Sequence, residues 1–148
     1  MKTLMRRAVL STAMVLAVCS LAQADQRGNQ CSVKTLRGTY VFTASGYNIV
    51  AGVAQPKAII EVIEFNGDGT LSVGPVTVSV NGAIIRVPPG GFGTYTVEQD
   101  CSGTITFDGP TFDTFVARDG ETVSMIQSNP NTVFRGTATR HTRVPGRR

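Results

Sequence analysis

Carboxylates are the groups in this chain best placed to do chemistry. Two of them, Glu61 and Glu64, interrupt the apolar run Ala58-Ile59-Ile60-Glu61-Val62-Ile63-Glu64-Phe65. A pair working as acid and base must share one side of the backbone. The run is built of β-favouring residues, and side chains alternate along a strand, so these two carboxylates face opposite ways and form no dyad. Glu61 alone is more informative. Facing inward beside Ile59, Ile63 and Phe65, it resists ionising and can donate a proton or anchor a ligand. Facing outward it is an ordinary solvated acid, and alternation by itself allows either.

Other chemistries find too few residues. The single histidine, His141, has no partner near it, so a Ser/His or Cys/His arrangement is not expected. One histidine and scattered carboxylates make no metal-ligand set, and no cofactor is expected. Asn66-Gly67-Asp68-Gly69-Thr70 imitates the start of a calcium loop, but Leu71 and Thr77 stand at its sixth and twelfth positions, and the closing acid is missing. That segment reads as a hairpin turn. Pro89-Gly90-Gly91-Phe92-Gly93 is too irregular for a phosphate loop and lies between two expected strands.

What remains is the lining of a lumen. Tyr40 and Phe42 share one strand face, as do Tyr95 and Val97, while Glu61, Arg86, Met125, Gln127 and Arg135 are polar or soft residues within apolar strands. The candidate set for holding a small apolar ligand is therefore Tyr40, Phe42, Glu61, Arg86, Tyr95, Met125, Gln127 and Arg135. The competing expectation for the tyrosines is a packed core position with a satisfied hydroxyl.

These residues need strands to carry them. Five Gly-Thr pairs, at 38–39, 69–70, 93–94, 103–104 and 136–137, each read as a turn handing over to a strand, because glycine relaxes the backbone and threonine favours the pleat. Strands are expected over 39–47, 58–65, 70–80 with a bulge or break at Gly74-Pro75, 83–87, 94–99, 104–107, 112–118, 121–128 and 132–140. Asn66-Gly67-Asp68-Gly69, Asn81-Gly82 and Asp119-Gly120 supply tight turns. No window carries sustained helical periodicity. Many short strands at close intervals imply an all-β meander, and closure into a small antiparallel barrel of about eight strands is preferred because it removes exposed edges.

The chain has 148 residues, and the first 24 read as a secretory leader: Lys2, Arg6 and Arg7, an apolar run from Ala8 to Ala22, then Ala22-Gln23-Ala24. Cleavage after Ala24 implies export to the periplasm or the medium, with no integral membrane segment left behind. The leader takes three basic residues from 14 Lys+Arg, leaving 11 against 10 Asp+Glu, so the net charge falls from +4 to +1. That balance gives no footprint for nucleic acid. Residues 25–140 form one domain, and from Arg140 onward the chain reads as a basic, frayed tail that occupies 141–148. Cys19 leaves with the leader, and the remaining pair, Cys31 and Cys101, suggests one disulfide in an exported chain.

Taken in order, Cys31-Ser32, Leu36-Arg37-Gly38-Thr39-Tyr40, Phe65-Asn66-Gly67-Asp68-Gly69-Thr70, Gly93-Thr94-Tyr95-Thr96-Val97, Asp100-Cys101-Ser102-Gly103-Thr104 and Arg135-Gly136-Thr137-Ala138 resemble the secreted bacterial proteins described as allene oxide cyclase barrel-like. The resemblance covers nearly all of the mature chain and implies an eight-stranded antiparallel barrel. It also implies kinship of shape with plant allene oxide cyclases and dirigent proteins, which guide reactive apolar molecules through ring closure or coupling. No catalytic residue is carried over from those relatives, because the quoted motifs are turn and strand-start motifs. Three function classes follow: a barrel that binds a small apolar molecule in its lumen, a cofactor-free cyclase or isomerase acting by confinement, or a structural module with a filled barrel. A homo-oligomer is compatible with each.

Overall fold

Two-residue turns with positive φ close two of the hairpins. Asn81 and Gly82 adopt φ of 49° and 87°, and Ala51 and Gly52 adopt 49° and 79°, the backbone that matches the twist of flanking strands. The second turn gives no Asn-Gly or Asp-Gly signal in sequence, and the strands it joins are longer than expected.

The computed structural model describes residues 30–141. The leader over 1–24 and the tail beyond 141 lie outside the described residues. Among the described residues, nine strands follow a 3₁₀ turn at Val33–Thr35: β1 (Gly38–Val50), β2 (Val53–Phe65), β3 (Thr70–Val80), β4 (Ala83–Val87), β5 (Gly91–Val97), β6 (Ser102–Phe107), β7 (Thr111–Val116), β8 (Thr122–Gln127) and β9 (Thr132–Arg140). All pairings are antiparallel. The order β2-β1-β9-β8-β7-β6-β5-β3, closed by β2 against β3, makes an eight-stranded barrel. β4 stands outside the ring. It lies along the same edge of β3 as β5 does, pairing with Val76–Val80 while β5 pairs with residues 70–73. The register of β2 against β3 shifts between Glu61 and Ile63, placing Gly74-Pro75 in a bulge opposite Val62.

Only two of the five Gly-Thr pairs begin strands through a relaxed backbone: Gly38 and Gly69 have φ of 98° and 95°. The other three lie within β5, β6 and β9. There the missing Cβ matters, because a Cβ at Gly93, Gly103 or Gly136 would sit 2.1–2.5 Å from a carbonyl oxygen of a neighbouring strand. At Gly136 it would also meet Ala44 Cβ at 2.4 Å. These glycines let the wall curve tightly where closure demands it.

The barrel is filled at one end. Tyr40, Phe65 and Tyr95 stack edge to face with centroids 5.0 Å apart at each step. The segment before β1 covers them: Leu36 is buried, and the Cys31–Cys101 disulfide ties that segment to the β5–β6 turn. Arg140 is no part of a frayed tail. Its guanidinium bonds Tyr40 Oη and the carbonyls of Thr35 and Gly120, and pairs with Glu121 at 3.3 Å. His141 continues the ladder, its amide donating to Thr39 O at 2.8 Å. Among the described residues no helix is long and apolar enough to cross a membrane.

Candidate functional site

The opposite end of the barrel is hollow. β2 carries Ile59, Glu61, Ile63 and Phe65 inward, as its buried positions alternate. Toward the unplugged end this face leaves Ile59 and Glu61 beside a cavity of about 210 Å³. Phe42 of β1, Phe107 of β6, Phe112 of β7 and Phe134 of β9 surround it. The rings of Phe42 and Phe107 each meet Phe112 edge to face, at 5.8 and 5.9 Å. Val73 and Phe92 border the mouth, and Phe92 is 75% exposed.

Four polar groups, Lys57, Glu61, Asp108 and Gln127, break this apolar lining. Glu61 is 7% exposed, and burial alone pushes its carboxyl up to about 7, with no neighbouring charge or hydrogen bond offsetting the shift. Gln127 commits its amide nitrogen to Asn129 Oδ1 at 3.1 Å and leaves Oε1 buried without a partner. Lys57 lies on the same face of β2 as Glu61, its Nζ 4.5 Å from the Phe134 ring centroid. Burial holds its ammonium below the ordinary lysine value. Neither Lys57 nor Glu61 contributes to the other's shift. Four residues of extended strand separate their Cα atoms by about 13 Å, and cavity lies along that interval.

Phe42, Glu61 and Gln127 are thus brought together at one cavity. Tyr40 and Tyr95 belong to the plugged end. Tyr40 donates to Gly120 O at 2.5 Å, and Tyr95 Oη bonds the carbonyls of Val33 and Leu36 and the amide of Gly67. They are satisfied core residues. Met125 packs in the core opposite Gly136, away from the cavity. Arg86 and Arg135 face outward: Arg86 sits on β4, exposed along its whole length, and Arg135 alternates with inward Phe134 and Gly136. An apolar strand does not by itself draw an arginine inward, since a guanidinium without a partner is costly to bury.

Sequence reasoning missed Lys57, Asp108 and three of the four phenylalanines. Alternation would have found Lys57, two residues before Ile59, had the strand not been started at 58 after Pro56. That proline is tolerated because the β2 position opposite Tyr47 lies beyond the β2–β3 ladder. The calcium-like run is an Asx turn, in which Asp68 Oδ1 accepts from the Thr70 amide and hydroxyl. No cluster of metal-ligating side chains occurs among the described residues.

Two larger hollows, about 890 and 680 Å³, lie on the outer wall over β1, β8 and β9. They are open to solvent, and neither contains Glu61 or Gln127. Lys57 and Phe134 border the smaller one as well as the mouth cavity. No family model matches the chain, and no curated protein or solved structure matches it.

Proposed function

We propose that the barrel mouth binds a small apolar molecule carrying one hydrogen-bond donor. The carrying observation is a barrel packed at one end and hollow at the other, with Gln127, whose Oε1 is buried and unpartnered, among the residues that line the phenylalanine-walled cavity. An orphaned acceptor costs about 1–3 kcal/mol, which a ligand hydroxyl or N–H recovers. At about 210 Å³ the cavity is smaller than the roughly 300 Å³ typical of drug-sized ligands, so the ligand is of the size of a single substituted ring. Benzyl alcohol is a suitable probe for ligand-observed NMR. Saturation transfer is expected with the native protein and is expected to vanish in Ile59→Phe, which fills the cavity. Equal transfer in both proteins, or none in the native one, overturns the reading.

Confinement catalysis with Glu61 as proton donor is the second reading, favoured by its raised carboxyl in an apolar wall. Kinship with the allene oxide cyclase barrel-like proteins is proposed on the eight-stranded closure and the motif order. Release from the cytoplasm, with the leader cut after Ala24, is proposed on the leader pattern and the Cys31–Cys101 disulfide. An intact mass beginning at Asp25 is the expected result for protein recovered from the producing cell's exterior or periplasm. A mass retaining residues 1–24 counts against it.

A further inference from the structure

We propose that Lys57 is an amine nucleophile that condenses with small apolar aldehydes or ketones at the barrel mouth, with Glu61 supplying the proton that expels water. The proposal rests on the reading that this cavity admits small apolar molecules.

Three observations carry it. Lys57 and Glu61 project from one face of β2 into the same cavity and are spaced so that they do not pair with each other. The Lys57 amine is half-buried against Phe134 and has no ion pair to a carboxylate among the described residues, so the ring face is the one contact favouring its charged form, and burial works against that form. Lys57 also borders the outer hollow beside Gly46, which gives the amine a second approach from solvent. The other charged groups lining these two spaces are Asp108 in the β6–β7 turn and Arg135 on β9.

The step balances without an oxidant or reductant. The neutral Lys57 Nζ attacks the carbonyl carbon, an N–C bond forms, and the C=O π pair moves to oxygen, which takes up a proton as nitrogen loses one. The protonated Glu61 carboxyl then gives its proton to the hydroxyl of that adduct. Water leaves as the nitrogen lone pair closes the C=N bond. This leaves an iminium N–H and a Glu61 carboxylate; when the iminium proton returns to Glu61, amine plus carbonyl have become imine plus water and the acid is restored.

The sequence supplies an internal control, because it contains only Lys2, Lys34 and Lys57, and Lys34 is exposed. Full-length processed protein is incubated with benzaldehyde and cyanoborohydride, which reduces the imine to a stable benzylamine, and the site is located by peptide mapping. Labelling of Lys57 at least tenfold faster than Lys34 is expected. The rate should pass through a maximum with pH, rising as Lys57 loses its proton and falling as Glu61 loses its own. Lys57→Met, which keeps the apolar stem, removes that adduct while retaining the β-sheet circular dichroism spectrum. Glu61→Gln slows adduct formation by about a hundredfold or more, the low side of what a positioned acid contributes. Equal labelling of the two lysines, or an unchanged rate in Glu61→Gln, overturns the proposal. Benzyl alcohol binding without Lys57 labelling overturns the amine chemistry alone; failure of both removes the binding reading as well.

Discussion

Cys31→Ala with Cys101→Ala is expected to lower the free energy of unfolding by about 4 kcal/mol. The two residues are separated by 70 positions, and freeing a loop of that length returns about this much entropy to the unfolded chain in the loop-closure account. That is a large share of the roughly 5–15 kcal/mol that holds a domain of this size. The effect is also structural, because the bridge clamps the plug. Released from Cys101, the segment through Leu36 is held by the Cys31 amide on Gln99 O and by the Tyr95 hydroxyl on Val33 O and Leu36 O. Faster amide exchange at Leu36 should accompany the loss. Urea denaturation of oxidised native protein beside the double variant measures the effect, and coincident midpoints would refute it.

Stability is expected to fall as pH rises from about 4.5 to about 7, because of Glu61. Its ordinary value of 4.5 applies to the unfolded chain, whereas burial raises it to about 7 in the folded state. Between those limits the folded protein keeps a proton that the unfolded chain has released, so raising the pH favours unfolding. Above pH 7 the loss is complete, at roughly 3 kcal/mol for a shift of this size. Asp68 and Asp100 work in the other direction. Hydrogen bonds from Thr70 and Ser102 hold them below 3.8, and their contributions change only in more acid solution. Urea melts at pH 5 and pH 8 should therefore differ in the native protein and converge in Glu61→Gln. A pH dependence that persists unchanged in Glu61→Gln would show that this carboxyl is not its source. A donor-bearing ligand that favours ionised Glu61 would flatten the same slope.

Features that depend on neighbours along the chain were legible in the amino-acid order. Alternation and turn chemistry set nine strands, the Asn81-Gly82 hairpin and the Gly74-Pro75 bulge, because backbone preference and pleat periodicity are local. Cys31 and Cys101, the cysteine pair outside residues 1–24, pointed to the disulfide. Alternation also placed Phe42, Glu61 and Gln127 on definite faces of their strands, without saying which face was the lumen. Only closure of the barrel decided that, since inside and outside exist only after β2 meets β3. Closure gave the same dipeptide two different uses: Gly38 and Gly69 turn the backbone, while Gly93, Gly103 and Gly136 make room for a neighbouring strand. It sent Tyr40 and Tyr95 to the plugged end and Glu61 to the hollow one, a difference set by shear and by where the N-terminal segment docks. It also gathered Phe107, Phe112 and Phe134 around Glu61 and Lys57, from strands far apart in sequence. Contacts between distant strands have no period to read, and the site is made of such contacts.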